Sequence, residues 1–496
     1  MRMKNICQEM RTGMIKGVIF DMDGVMIDTE RQSTRGWQHV SEKYGMDMPM
    51  WLINKFKGAP AHKSQEYFDE YYHGRFDYWK ARQERSDYVH EIRKTEGIPV
   101  KRGLYILLEA IRERNLACAV ATSTQRDSAH NTLHEIGAMS YLDGVVFGDE
   151  VENGKPEPDI FLRAASVIGV KPQECVVIED SINGIKAGYA AGMKVIHVPD
   201  TLEIPEDVAK LTSSICCDLI QAVTVIDYWN GKEIGIDRER VKDAFARYTS
   251  VYNVDDPKIK LKIDHTYRVA ELCQCIAQDM GLSDTDTGIA WLLGMLHDIG
   301  RFEQVRRYGT FADDKSINHG ELGANILFRD GLIEEFVPEL ADLKGMDIWN
   351  TLDNAIRYHS VYRVPEELNE RDRMFTDLLR DADKIDILRV NYEVGVEKIY
   401  NVTAEEARSC TVTDEVMEAF TGKQAVLRKH KKTPVDHVVG HISLVFELVF
   451  SISLELALSQ GYLNRLLDYP TDNETTRQQF ARIREIMEEY IRERMA

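Results

Sequence analysis

From Gly17 to about Val225, short apolar, β-branched runs alternate with segments of helical period. Gly17–Phe20, Ala117–Ala121, Val145–Phe147, Cys175–Ile178 and Val195–Val198 are short and continuously apolar, which predicts strands of a parallel sheet buried on both faces. Strands alternating with helices imply a doubly wound, Rossmann-like α/β core. Between the first two strands, Arg31 to about Pro99 carries no strand pattern, and Tyr67, Phe68, Tyr71, Tyr72 and Trp79 recur at helical spacing. This segment predicts an inserted helical cap, its aromatic stripe used for core packing.

Beyond about Arg238 the strand pattern stops. Helical periods predict helices at Ile259–Met280, up to His297, and at Ile317–Phe328, Ile348–His359, Arg373–Tyr392 and Val435–Ser459. Ser283-x-x-Asp286 predicts a capping box opening the helix that runs to His297. The expected organisation is multidomain: an α/β core over 15–30 and 100–226, a helical cap over 31–99, and an all-α domain over 236–496. The 496 residues, at about 150 per domain, agree with three modules.

Hydrophobic residues at 44% and charged residues at 29% match an ordinary globular protein. With 82 acidic against 62 basic residues the formal net charge is -20, a field that disfavours nucleic acid or a membrane surface as partner. An acidic protein that handles small anions needs metal ions or focused Lys and Arg. Eight cysteines without a CxxC pair make no disulfide framework, and Cys118, Cys175 and Cys273 fall on apolar periods expected in the core. Met1–Lys16 has no apolar stretch long enough for a signal peptide, and Val435–Ser459 is interrupted by Asp436, His437, His441, Glu447 and Glu455. A cytoplasmic location is expected.

The first chemical constellation begins at Asp21-Met22-Asp23-Gly24. An apolar strand ending in two carboxylates spaced by two sets both at the carboxyl edge of a parallel sheet, where α/β proteins bind ligands. Such a pair can divide nucleophile and acid/base roles. Thr122-Ser123-Thr124, Gly154-Lys155-Pro156 and Glu179-Asp180 add hydroxyl donors, a cation and hard oxygen ligands suited to Mg²⁺. Together with Asp28-Thr29, Pro158-Asp159 and Ser181, these motifs resemble the haloacid dehalogenase-like (HAD) phosphohydrolases over about Ile15–Val225, in the capped branch of β-phosphoglucomutase and phosphoglycolate-type phosphatases. The resemblance implies that Asp21 attacks phosphorus to form an aspartyl phosphate and that Asp23 protonates the leaving oxygen, then activates water. It implies Thr122, Ser123 and Lys155 at the transferring group. It also implies Mg²⁺ held by Asp21, Asp23 and Asp180, with Glu179 beside it. The mutases carry an Arg shortly after a cap Lys-Gly and a His after the Asp-Thr. Here Lys57-Gly58 leads to Ala59-Pro60-Ala61-His62, and Ser33 takes the other place, which favours a phosphatase over the alternative of a phosphosugar mutase.

The second constellation is His265, His297-Asp298 and Asp383, spread over helical segments with His319 and His359. The order His, His-Asp, Asp resembles the HD-domain phosphohydrolases over about Arg238–Ser459, and the two further histidines resemble the two-metal branch. The resemblance implies a metal-dependent site with Asp298 bridging, hydrolysing a nucleotide-type phosphoester or phosphoanhydride. The alternative is a nucleotide-sensing regulatory module. Imidazole-rich ligation suits one or two divalent ions of Fe, Mn, Ni, Co or Zn. Asp381 competes with Asp383, which the Ala-Asp-Lys context favours; Arg268, Arg301 and Lys384 are candidates for substrate phosphate. The expected partners are small phosphorylated metabolites or nucleotides. His437 and His441 lie one turn apart and are read as packing or supporting residues, and Arg428–Lys432 as a solvated basic run.

Overall fold

The computed structural model describes residues 14–56, 61–200, 204–395 and 402–495. Most of the N-terminal stretch and the cap segment Lys57–Pro60 lie outside the described residues. The chain divides into two compact units that meet in sequence between Lys232 and Glu233.

In the first unit β1 (Gly17–Phe20) is followed by the cap helices α1 (Thr29–Tyr44), α2 (Met50–Phe56), α3 (Ala61–Tyr72) and α4 (Tyr78–Glu96). The core continues through α5 (Leu104–Glu113), β2 (Ala117–Thr122), α6 (Arg126–Glu135), β3 (Gly144–Phe147), α7 (Asp159–Val167), β4 (Cys175–Glu179), α8 (Ile182–Ala190), β5 (Lys194–His197), β6 (Ser214–Ile215) and α9 (Leu219–Trp229). The strands pair in parallel in the order β3-β2-β1-β4-β5-β6. Phe20 stands in register with Val120 and Ile178, so Asp21, Thr122 and Glu179 emerge at one carboxyl edge. Every residue of β1 and β4 is buried, which is why both read as unbroken apolar runs.

The cap packs around Trp37, Phe68, Tyr72 and Tyr78, all buried, with the Phe68 and Tyr72 rings 4.5 Å apart. Trp79 departs from the expected stripe and is exposed. Gly36 lets α1 and α4 approach: a Cβ there would stand 2.9 Å from both Arg85 Cγ and Val89 Cγ2.

The second unit is helical among the described residues: α10 (Arg238–Ser250), α11 (Pro257–Asp279), α12 (Asp284–Leu296), α13 (Ile299–Tyr308), α14 (His319–Ala324), α15 (Asp347–Tyr358), α16 (Glu370–Val394), α17 (Pro434–Ile442), α18 (Ser451–Ser459) and α19 (Glu474–Met495), with shorter turns between them. α12 is buried from Thr285 to Leu296. Gly294 lets it touch α11, since a Cβ there would lie 2.4 Å from Ala270 Cα.

The helical reading needs three corrections. Ser283 accepts from the Asp286 amide at 3.1 Å, but the Asp286 carboxylate pairs with Arg371 instead of completing a capping box. The segment expected as one helix over Ile317–Phe328 is α14 followed by a wide π-type turn at Asn325–Arg329. Val435–Ser459 is two helices, α17 and α18. The break arises because the Asp381 carboxylate accepts the Val449 amide at 2.9 Å and the Phe450 amide at 3.0 Å, which satisfies backbone that a helix would otherwise use. Among the described residues no helix is long and apolar enough to cross a membrane.

Candidate active sites

At the sheet edge Asp21 and Glu179 are buried at the ends of β1 and β4, and the Lys155 ammonium bonds to both, with 2.7 Å to Glu179 Oε1. The Glu179 carboxylate also accepts the Asp180 and Ser181 amides, each at 2.9 Å, and sits over Gly184, where a Cβ would collide with it. Glu179 therefore holds Lys155 and the start of α8, while Asp180 is the carboxylate that faces the strand turn. Gly24, at φ +86°, is the turn that makes room: its Cβ would fall 2.2 Å from Asp180 Oδ2. Asp23 is exposed and held from two sides, accepting from Thr124 Oγ1 at 2.8 Å and Thr29 Oγ1 at 3.3 Å. Thr122 is buried and its Oγ1 accepts the Thr124 amide at 3.1 Å, which leaves its hydroxyl proton for a ligand. Ser123 is exposed at the same edge. Thr124 was within the hydroxyl run of the sequence, but nothing local marked it as the residue that orients Asp23.

Three carboxylates, Asp21, Glu179 and Asp180, share the one ammonium of Lys155. Burial and the neighbouring Glu179 and Asp21 push Asp180 up to about 9. Burial, only partly offset by Lys155, pushes Asp21 up to about 7. For Lys155 burial works in the opposite direction, but Asp21 and Glu179 outweigh it and its pKa is raised. The all-oxygen set with surplus negative charge fits Mg²⁺. A thermodynamic consequence follows from the raised carboxylates. Between their ordinary values near 4 and about 9, the folded unit holds more protons than the unfolded chain, so stability falls as pH rises. Mg²⁺ held by these carboxylates would replace those protons. It is expected to raise the thermal midpoint more at about pH 8 than at about pH 5.5; equal shifts at both pH values in a thermal melt would reject the assignment.

In the helical unit, His265 on α11, His297 and Asp298 at the junction of α12 and α13, His319 at the start of α14 and His359 at the end of α15 are all buried. Two triads share Asp298: His265 and His297 with it on one side, His319 and His359 on the other. Asp298 Oδ2 lies 3.7 Å from His265 Nε2 and 3.4 Å from His297 Nε2, while Oδ1 lies 3.5 Å from His319 Nε2. The Nε2 atoms crowd each other, at 3.4 Å for His265 and His297 and 3.0 Å for His319 and His359. Every Nδ1 already faces an acceptor: Asp386 at 2.6 Å, the Gly294 carbonyl at 2.8 Å, Asp313 at 2.8 Å and the Ile356 carbonyl at 2.7 Å. With the proton on Nδ1, each Nε2 turns a lone pair inward, the arrangement a divalent ion requires.

Electrostatics agrees with ligation at His319, His359 and Asp298. Burial, followed by His319 and His297, pushes His359 down to about 3, and burial with Arg301 lowers His319. Burial opposes ionisation of Asp298, but Lys262, His297 and Arg301 outweigh it and hold the group well below the carboxylate range. For His265, burial and Lys262 lower the pKa, while Asp383 and Asp386 raise it further and prevail. Asp383 reaches the cluster, with Oδ1 3.1 Å from His265 Nε2; Asp381 is turned away to the Val449 and Phe450 amides.

The other candidates separate. Arg268, expected at a phosphate, instead makes a two-pronged pair with Asp386 at 2.6 and 2.9 Å and so braces His265 from behind. Arg301 Nε lies 3.5 Å from Asp298 Oδ1, buried and without a hydrogen-bond partner. Lys384 pairs with Glu447 at 3.2 Å. Lys262 Nζ, 2.7 Å from Asp298 Oδ2, had not been singled out, and neither had Asp313 or Asp386. Their available signal is spacing: Lys262 precedes His265 by one turn and Asp386 follows Asp383 by one turn.

Gly300 lets this cluster close. Its Cβ would lie 2.2 Å from the His319 carbonyl oxygen and 2.7 Å from the Gly323 amide. Gly300→Ala must push α14 away from α13, at a cost of about 1–3 kcal/mol, and draw His319 from Asp298. Thermal melts and elemental analysis should show lowered stability together with lowered metal content; unchanged metal content would show that the helix contact does not set the cluster.

The family profile "Haloacid dehalogenase-like hydrolase" matches residues 18–198 and the profile "HD domain" matches residues 263–391. A phosphorylated carbohydrates phosphatase of Thermotoga maritima is 32% identical over 186 residues, 37% of this chain and 84% of its own length. Fructose-1-phosphate phosphatase YqaB of Escherichia coli is 32% identical over 182 residues, 37% of this chain and 95% of its own. Beta-phosphoglucomutase of Bacillus subtilis is 29% identical over 190 residues, 37% of this chain and 83% of its own. With a carboxylate and lysine edge in one unit and a histidine and aspartate cluster in the other, the chain belongs to the haloacid dehalogenase-like hydrolases and is a phosphoric ester hydrolase in which that catalytic domain is fused to an HD domain.

Proposed function

We propose that the first unit hydrolyses a small phosphomonoester, such as a sugar or nucleoside phosphate, through a phosphoryl group carried on Asp21, and that the HD unit hydrolyses a nucleotide-type phosphoester or phosphoanhydride. The observation that carries this reading is that metal-ligand atoms converge in both halves, carboxylate oxygens around Lys155 in the first unit and imidazole nitrogens around Asp298 in the second.

In the first unit, an Asp21 oxygen attacks phosphorus and the bond to the ester oxygen breaks, with Asp23 giving its proton to the leaving alcohol. Water then attacks the phosphorus of the aspartyl phosphate, Asp23 takes a proton from that water, the P–O bond to Asp21 breaks, and orthophosphate leaves with the Asp21 carboxylate restored. Thr122 and Lys155 hold the phosphoryl oxygens, and Thr124 and Thr29 keep Asp23 aimed. Asp21, the Asp23 carbonyl and Asp180 would hold Mg²⁺, which supplies charge to offset the repulsion between a phosphate dianion and a carboxylate. The names of the Thermotoga and E. coli relatives support a phosphorylated carbohydrate as substrate class.

In the HD unit, His265, His297, Asp298 and Asp383 would hold one divalent ion and His319 and His359 a second across Asp298, supplying concentrated positive charge at phosphorus. Lys262 and Arg301 flank Asp298 where phosphoryl oxygens would gather. A cleft of about 350 Å³, lined by Arg363, Arg373, Arg380 and Lys384 and by the acids Glu366, Asp377, Asp381 and Glu447, has the size for a nucleotide. The test is a phosphate-release screen over sugar phosphates, nucleoside monophosphates and nucleotides, with Mg²⁺ and with Mn²⁺. Orthophosphate from a monophosphate supports the phosphatase; an isomerised phosphosugar without release would replace it by a mutase. Binding of nucleotides without turnover would make the HD unit a sensor.

A further inference from the structure

α15 ends at Tyr358, and the chain then runs through turns to Glu370. The last carbonyls of a helix have no partner within it, and a common solution is a residue in the left-handed region that turns the following amides back onto them. Here His359 takes the capping position with helical angles, φ -61° and ψ -33°, and no residue from Ser360 to Asn369 has a positive φ. The carbonyls are met by a side chain from another helix. Arg380 Nη1 donates to Tyr358 at 3.3 Å, His359 at 2.9 Å and Val361 at 2.5 Å. Arg380 is buried, and Glu447 lies 3.9 Å from its Nη2.

His359 depends on this clamp more than the other three imidazoles do on their surroundings. The His265 and His319 rings are oriented by carboxylates, Asp386 and Asp313. His297 and His359 lean on backbone carbonyls of their own helices, those of Gly294 and Ile356. Past His297 the chain enters α13 at Ile299, so its backbone is fixed on both sides, whereas past His359 the chain leaves helix altogether. The His359 ring is therefore only as well placed as the end of α15. His319 is set against that same end: a Cβ on Gly320 would stand 2.9 Å from both the Ile356 and the Arg357 carbonyl oxygens. Asp383, one turn beyond Arg380 on α16, reaches the other triad at His265. Thus α16 meets one triad through a carboxylate and supports the second through a guanidinium that grips backbone.

We propose that Arg380 is a positioning residue for the ion assigned to His319 and His359: by capping α15 it keeps His359 Nε2 turned toward Asp298. The inference rests on the two-ion reading of the HD unit. Loss of a group that orients a ligand typically costs about 10–100-fold in metal affinity. Arg380→Met should raise the dissociation constant of this second ion by that factor and leave the first, held by His265, His297, Asp298 and Asp383, unchanged. A lysine ammonium stops one bond short of Nη1, so Arg380→Lys should fall between parent and Arg380→Met.

The experiment strips full-length protein of metal, adds excess Mg²⁺ to fill the oxygen site of the first unit, and titrates with Mn²⁺ under electron paramagnetic resonance. Two Mn²⁺ ions that share a carboxylate give an exchange-coupled signal, and a lone Mn²⁺ gives the spectrum of an isolated ion. No nucleotide is present, so contact between Arg380 and a ligand in the cleft it lines plays no part. The parent should pass from the isolated to the coupled spectrum as the second ion binds. In Arg380→Met the isolated spectrum should appear at the parent's Mn²⁺ concentration and the coupled one only at about 10–100-fold more. Arg389→Met, on the same helix but paired with Glu393 at 3.0 Å, should behave as the parent. If Arg380→Met does not fold, Arg380→Lys carries the test through the same delayed coupling. Coupling at the parent's concentration in the Arg380 variants, an equal rise in both constants, or the same loss in Arg389→Met overturns the role of Arg380 alone. A parent that never shows coupling overturns the two-ion reading, and the proposal with it.

Discussion

Asp21→Asn is expected to lower phosphate release from monophosphates by on the order of a thousand-fold or more, with turnover in the HD unit unchanged. An amide of the same shape cannot supply the attacking oxygen, and no neighbour replaces it: Glu179 is bound to Lys155 and to two backbone amides, and Asp23 points to Thr124 and Thr29. Loss of the fold does not explain the expected effect. The substitution removes one negative charge from a buried group of three that share a single ammonium, and Lys155 keeps its 2.7 Å contact with Glu179. At about pH 8 the variant should therefore melt no lower than the parent, because Asp21 is already disfavoured as an anion there. Activity that survives Asp21→Asn would remove Asp21 as nucleophile. Activity lost together with several degrees of thermal midpoint would point to a structural role.

What the sequence made legible follows from where each constraint lies along the chain. Parallel strands buried on both faces must be apolar at every position, so β1, β2 and β4 stand out without tertiary knowledge. β6, two residues at Ser214–Ile215, carries no pattern because its pairing depends on β5 being present. The same distinction holds at the sites. Asp21 and Asp180 follow apolar runs, and the family motifs mark them; Thr124 is tied to Asp23 across 101 positions of sequence. His265 was visible as a candidate ligand, whereas Arg268 looked equally suited to a phosphate until Asp386, 118 positions away, claimed both prongs of its guanidinium. The apolar period over Val435–Ser459 is likewise real, but Asp381 interrupts it from a different helix. Local periodicity reports burial. It does not report which distant carboxylate takes a backbone amide or a cation.

Asp298→Asn is expected to abolish binding of both ions proposed for the HD unit and to reduce its proposed turnover by on the order of a thousand-fold or more, while His359→Ala should remove one ion of the pair. The difference comes from the sharing of one carboxylate: Oδ2 faces His265 and His297, and Oδ1 faces His319. An asparagine offers one oxygen and a nitrogen that donates, so at least one triad loses its anionic ligand and the charge that balances two cations is gone. His359 belongs to one triad only, and its removal leaves His265, His297 and Asp298 in place with Asp383 beside His265. Asp298 also holds Lys262 at 2.7 Å, so Lys262→Met in the Asp298→Asn background separates loss of an ion pair from loss of ligation. If the paired variant recovers stability but not metal, ligation is the cause. Elemental analysis of the parent and the three variants, purified alike, gives the answer: equal metal content in Asp298→Asn and His359→Ala would mean that the carboxylate does not bridge, and full content in both would place the metal elsewhere.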